Sequence, residues 1–150
     1  MRSMHSPPAL VVEDDPDIRA VLCELLADAG YTPTMEATDG RKALTVLRRS
    51  LQPLVVLLDL GLPRLGGAEL LRRMAGVDRW RQRPRRPQQH AFVLVTAGYE
   101  TARPQLASLV DAWQIPVVRK PFDLDELLAV VAQAASRLRP AIQRRGRNGD

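Results

Sequence analysis

The strongest constraint on the fold is a repeated alternation of short apolar runs with segments whose apolar residues recur at helical spacing. The run 54–58 is continuously apolar, as expected for a parallel strand covered on both faces. Because parallel strands are joined by right-handed crossovers, five such units predict a doubly wound α/β fold. This fold has one five-stranded parallel sheet with helices on both faces. The predicted strands are residues 9–12, 32–37, 54–58, 92–95 and 117–119.

Five helices are predicted after these strands. Asp15, Asp39 and Asp123 are the expected N-caps of the first, second and last helices. Glu126, three residues after Asp123, gives the last helix a capping-box-like start, and Gly30 is expected to end the first helix. The predicted helices cover residues 18–26, 41–49, 68–74, 101–112 and 123–138.

Polar and charged side chains follow four of the predicted strands. In doubly wound folds, ligands bind outside the carboxyl ends of the strands, so these side chains are expected to share one site. Carboxylates that converge there would raise each other's pKa unless a cation lay among them. The side chains are Glu13, Asp14 and Asp15 after the first strand, Asp59 after the third, Thr96 at the end of the fourth and Lys120 after the fifth.

The chemistry of these groups predicts a magnesium site. Mg²⁺ prefers oxygen ligands and favours sites that also hold a phosphate group. His5 and His90 lie away from the strand ends in the sequence, so zinc is not expected. A carboxylate, a hydroxyl and an ammonium group around Mg²⁺ form a site for phosphoryl transfer. In such a site Asp59 would attack, Lys120 would balance the phosphoryl charge and Thr96 would donate a hydrogen bond.

Five short motifs occur in a fixed order along the chain. They are LVVEDDPDIR (10–19), ATDGRKAL (37–44), VVLLDLGLPRLGG (55–67), VLVTA (93–97) and VVRKPF (117–122). In this order they resemble the receiver domain of two-component response regulators, the CheY-like superfamily. The resemblance covers about residues 8–138 and implies the flavodoxin-like strand order 2-1-3-4-5.

The resemblance also implies a role for each residue at the strand ends. Asp59 would be the phosphoacceptor and would form an aspartyl phosphate. Thr96 and Lys120 would contact the phosphoryl group, and Pro121 would follow a cis peptide bond. The implied Mg²⁺ ligands are Glu13 (through water), Asp14 and Asp59 through their side chains, and Gly61 through its carbonyl.

A receiver domain of this kind implies a cytoplasmic signalling phosphoacceptor. The donor would be a histidine kinase or a histidine phosphotransfer protein, and phosphorylation would repack the face of helix 4, strand 5 and helix 5. The only reactions expected are self-catalysed phosphotransfer and dephosphorylation, so the chain is not expected to be an enzyme. The output partner stays unknown, and a homodimer stays open.

Several positions depart from the family pattern. Val117 stands three residues before Lys120, where the family commonly has an aromatic switch residue, and residues 113–116 replace the usual turn into strand 5. Gly61 and Gly98 offer no side chain that could orient an attacking water. We therefore expect an altered signalling face, and dephosphorylation that is slow or depends on a partner.

The basic charge is concentrated in two segments. The formal net charge is +5, yet residues 78–90 and 137–150 each carry a net charge of +4, so the remaining chain carries about −3. The predicted organisation is an N-terminal tail (1–8), a receiver domain (9–138) with an exposed basic loop (76–91), and a disordered basic tail (139–150). The sequence has no apolar run of the roughly 20 residues that a membrane span needs.

Two alternatives remain for the function. The arginine-rich loop (79–86) and the tail could bind nucleic acid or an acidic partner, although the chain shows no DNA-reading domain. A phosphatase of the haloacid-dehalogenase type would use similar groups. That family places its nucleophile on the first strand in a DxD motif, whereas Asp59 follows the third strand and precedes Leu60 and Gly61. The second alternative is therefore the weaker one.

Overall fold

The computed structural model describes residues 6–76 and 89–138. Within these ranges five strands and five helices alternate strictly along the chain. Most of the predicted N-terminal tail, most of the predicted basic loop and the whole tail 139–150 lie outside the described residues. The elements are β1 (Ala9–Val12), α1 (Pro16–Asp28), β2 (Thr34–Ala37), α2 (Gly40–Arg49), β3 (Val55–Leu58), α3 (Gly67–Met74), β4 (Ala91–Thr96), α4 (Tyr99–Trp113), β5 (Val117–Arg119) and α5 (Leu124–Ser136).

The five strands form one parallel sheet in the order β2-β1-β3-β4-β5. The predicted fold class and strand order are therefore confirmed. In the register, Val12 pairs with Leu58, and Leu58 pairs with Leu94. The carboxyl ends of the three central strands consequently lie side by side, at the edge where the polar residues were predicted to meet.

Alternate residues of each central strand face two separate cores. Leu10 and Val12 of β1 pack with residues of α2, α3 and α4 on one face of the sheet. Ala9 and Val11 pack with residues of α1 and α5 on the other face. This arrangement follows from the two-residue period of a strand and confirms that helices cover both faces. No helix in the described part of the chain is long and apolar enough to cross a membrane.

Most element boundaries differ from the sequence-based prediction by one or two residues, among them the starts of β2, α4 and β4. β2 begins at Thr34, because Pro33 has no backbone N–H to donate to a neighbouring strand. α4 begins at Tyr99 and contains Pro104 in its interior. β4 begins at Ala91, the last residue of the predicted basic loop. The predicted caps Asp15, Asp39 and Asp123 all accept hydrogen bonds from amides of the first helical turn.

Two side chains outside the site complete the cores. Trp113 at the end of α4 stacks on Phe92 of β4, with ring centroids 5.9 Å apart, so it covers the core beside α4. His90 is buried; its Nδ1 accepts a hydrogen bond from the amide of Leu54 at 3.1 Å, and its Nε2 lies 3.1 Å from the carbonyl oxygen of Leu47. His90 thus links the end of α2 to the start of β3, which the sequence did not predict.

Candidate functional site

Three carboxylates meet at the carboxyl end of the sheet. Glu13 follows β1 and Asp59 follows β3, and the strand register brings the two residues together. Glu13, Asp14 and Asp59 each offer a carboxylate oxygen, and these oxygens all lie within 4.8 Å of one another. Glu13 is 2% exposed and Asp59 is 9% exposed, whereas Asp14 lies open to solvent. The cluster therefore has two buried carboxylates and one that is exposed to solvent.

Lys120 joins the two buried carboxylates. Its Nζ donates hydrogen bonds to Glu13 Oε2 at 2.7 Å and to Asp59 Oδ2 at 3.0 Å. Burial raises the pKa of Glu13 above its usual value, although the hydrogen bond from Lys120 opposes the rise. Burial acts to lower the pKa of Lys120, but hydrogen bonding to the two carboxylates outweighs it, and the pKa of Lys120 is raised. When all four groups are charged, the site carries a net charge of about −2, which suits a divalent cation.

Thr96 and Gly61 lie beside this cluster. The hydroxyl of Thr96 is buried and accepts a hydrogen bond from the amide of Gly98 at 3.2 Å. The amide of Gly61 donates to Asp59 Oδ1 at 3.2 Å, so both carboxylate oxygens of Asp59 have a donor. The Lys120–Pro121 peptide bond is cis. The structure thus brings the residues of the four predicted strand ends to one edge of the sheet.

Asp15 has a different position from its two acidic neighbours. Its Oδ1 accepts from the amides of Asp17 and Ile18, which makes it the N-cap of α1, as predicted. Its own amide donates to Glu13 Oε1 at 3.2 Å. Asp15 therefore fixes the start of the helix and helps to orient the Glu13 carboxylate.

Two supporting residues were missed by the sequence analysis. Arg19 Nη1 donates to the carbonyl oxygen of Glu13 at 3.0 Å and thereby fixes the backbone at the end of β1. Gly67 lies against the backbone of Asp59, because a Cβ at this position would come 2.4 Å from the Asp59 carbonyl oxygen. Gly67 was part of a quoted motif, but nothing in the sequence indicated this close approach. The contact of Arg19 had no sequence signal.

The arginine-rich segment 79–86, on which the nucleic-acid alternative depends, lies outside the described residues.

Val117 is half-buried and packs against the core beside α2, α3 and α4.

Comparison with known proteins identifies the family. The model of the response regulator receiver domain matches residues 9–132. Sporulation initiation phosphotransferase F of Bacillus subtilis is 31% identical over 124 residues, which cover 83% of this chain and 90% of the relative. Protein Rrf1 of Nitratidesulfovibrio vulgaris is 38% identical over 127 residues, covering 83% of this chain and 80% of the relative. The crystal structure of response regulator protein TrrA from Thermotoga maritima, in complex with Mg²⁺-BeF, superposes with a TM-score of 0.65 at 28% identity, covering 85% of this chain and 98% of that one. The chain therefore belongs to the response regulator receiver domain family of two-component systems.

Proposed function

We propose that Asp59 accepts a phosphoryl group from a histidine kinase or a histidine phosphotransfer protein in the presence of Mg²⁺. The observation that carries this proposal is the position of Lys120, whose ammonium group contacts both Glu13 and Asp59 at the carboxyl end of the sheet. The Mg²⁺-BeF complex of TrrA and the name of the sporulation phosphotransferase support it.

The residues present suit a magnesium ion. Glu13, Asp14 and Asp59 would hold it through carboxylate oxygens, with Glu13 acting through water and Gly61 adding its carbonyl. A bound Mg²⁺ would supply positive charge to the phosphoryl oxygens during transfer.

Asp59, Lys120 and the backbone amide of Gly61 have different roles in the proposed phosphoryl transfer. A carboxylate oxygen of Asp59 forms a bond to phosphorus, the bond from phosphorus to the donor histidine nitrogen breaks, and that nitrogen keeps the electron pair. The Gly61 amide and Lys120 hold the Asp59 carboxylate in one orientation before the reaction. Lys120 then balances the added negative charge of the aspartyl phosphate.

Thr96 would report the phosphoryl group. Its hydroxyl contacts the amide of Gly98, the N-cap residue of α4. If the Thr96 side chain moves so that its hydroxyl donates to a phosphoryl oxygen, the hydroxyl oxygen would be drawn away from the Gly98 amide at the start of α4. The signal would reach a partner through α4, β5 and α5, with Val117 in place of an aromatic switch. Because Gly61 and Gly98 carry no side chain that orients water, we expect the aspartyl phosphate to hydrolyse slowly.

Labelling with a small phosphodonor tests the proposal. The protein is incubated with acetyl phosphate and MgCl₂, and its intact mass is measured. We expect a gain of one phosphoryl group, which EDTA and Asp59→Asn both abolish. Asp15→Asn is the matched control, because asparagine also caps helices and Asp15 lies outside the carboxylate cluster. Absence of labelling in the unmodified protein, or labelling that survives Asp59→Asn, would overturn the proposal.

A further inference from the structure

We infer that the N-terminus of α2 positions the loop 60–66, which would present the Gly61 carbonyl to Mg²⁺; this inference rests on the proposed function. The loop joins Asp59 to α3. Within the described part of the chain, its one side-chain hydrogen bond to another element runs from Arg64 Nη1 to Asp39 Oδ2, at 3.2 Å. Arg64 itself is largely exposed, but its partner is not.

Asp39 is a fixed acceptor. Its side chain is 4% exposed, and its Oδ1 accepts the amide of Lys42 at 2.9 Å as the N-cap of α2. The amide of Lys42 lowers the pKa of Asp39, and the guanidinium of Arg64 adds to this effect. Since one oxygen binds the helix and the other binds the loop, Asp39 ties the loop to the rigid start of α2.

A backbone contact lies next to this ion pair. A Cβ at Gly40 would come 2.0 Å from the carbonyl oxygen of Leu65, so the first residue of α2 and the loop touch without any side chain between them. Leu65 is buried in the core that also contains Ala43, Leu44 and Leu47 of α2. We call the Asp39–Arg64 ion pair and the Gly40–Leu65 contact together the clasp.

The backbone at Arg64 indicates that the arginine side chain has a role. Arg64 has a φ of 64°, in the left-handed region that glycine adopts freely and other residues adopt at a cost. When a residue other than glycine is held in this conformation, its side chain is a candidate for a function that compensates for the cost. Here that is the guanidinium group, which reaches Asp39.

The clasp matters for metal binding because Gly61 is supported by the hydrogen bond from its amide to Asp59 Oδ1 but not by packing of neighbouring side chains. Gly61 is exposed, and nothing lies within 4 Å of the position that its Cβ would occupy. A loop that is ordered before binding avoids the entropy cost of ordering it at that moment. From the usual strength of a half-exposed ion pair, we expect loss of the Asp39–Arg64 pair to weaken Mg²⁺ binding by about threefold.

Arg64→Gly separates positioning from stability. Glycine relieves the left-handed backbone, so we expect the stability of the metal-free protein to stay equal or to rise while the Kd for Mg²⁺ increases about threefold. Gln114→Gly is the matched control: Gln114, at the end of α4, also has a positive φ of 53°. Gln114→Gly should likewise leave the stability equal or raise it, and it should not change the Kd for Mg²⁺. Asp39→Asn keeps a good N-cap and removes the charge, so it should raise the Kd for Mg²⁺ by about the same factor as Arg64→Gly.

The measurements are calorimetric titration with MgCl₂ and urea unfolding in EDTA. The double variant Asp39→Asn/Arg64→Gly should bind Mg²⁺ about as weakly as either single variant, because both remove the same pair. If the unmodified protein binds Mg²⁺ and the two single variants bind it equally well, the inference is overturned and the proposed function stands. If the unmodified protein binds no Mg²⁺, the proposed function is overturned and the inference with it.

Discussion

Replacing Lys120 by methionine leaves Glu13 and Asp59 without the ammonium group that contacts both. The Lys120 side chain is 17% exposed and that of Glu13 is 2% exposed, so the ion pair is largely shielded from water. Removing one partner of a buried pair costs about 3 to 5 kcal/mol. Because the open Asp14 side of the cluster admits water, we expect the low end, about 3 kcal/mol, at pH 7 in EDTA.

The loss should depend on pH and on magnesium. Without Lys120 the pKa of Glu13 rises further above its unfolded value, so the destabilisation is largest above that raised pKa and shrinks as the pH falls through it. Mg²⁺ should replace the missing charge and add about 1.4 kcal/mol for each tenfold excess over its Kd. Urea unfolding followed by circular dichroism, at pH 5 and pH 7 with EDTA or MgCl₂, measures these effects. A loss below 1 kcal/mol, or a loss that neither acid nor Mg²⁺ reduces, would refute the reasoning.

Three further predictions concern residues around the site and in the cores. Gly67→Ala places a methyl group 2.4 Å from the Asp59 carbonyl oxygen, so it should lower the free energy of unfolding in urea by more than about 2 kcal/mol. The methyl group of Gly61→Ala meets nothing within 4 Å, so this variant should lose less than about 0.5 kcal/mol. Equal losses in the two variants would contradict this prediction. Burial lowers the pKa of His90, so its contribution to stability should be complete above pH 6.5 and should decline as the pH falls toward the lowered pKa. The free energy of unfolding should therefore fall less between pH 7.5 and pH 5.5 in His90→Gln than in the unmodified protein. Burial raises the pKa of Cys23 to about 12, so iodoacetamide at pH 8 should modify the folded protein at least about tenfold more slowly than the urea-unfolded protein, and similar rates would count against the burial argument.

The sequence predicted the parts of the site that follow from strand ends. Apolar runs fix where β1, β3 and β5 end, and a parallel sheet brings those ends together, so Glu13, Asp59 and Lys120 could be placed beside one another. The partner of Arg64 could not be predicted, because Asp39 is 25 residues away and the contact depends on the path of a loop. Likewise, His90 meets Leu54 across 36 residues, and neither residue type indicates such a contact.

Without an aromatic residue at position 117, where this chain has Val117, a signal from the site would depend on how α4 is held. The C-terminal end of α4 carries the stack of Trp113 on Phe92, whereas its N-terminal end combines packing of Tyr99 against the core with polar contacts. Those contacts are the Thr96 hydroxyl to the Gly98 amide, and the ion pair between Glu100 of α4 and Arg119 of β5. Pro104 lies between the two ends and has no amide hydrogen to bond to the carbonyl of Glu100, four residues earlier. A movement of Thr96 would therefore shift the first turn of α4 and leave the stacked end in place, and we expect the responding surface to be the side of α4 next to Arg119.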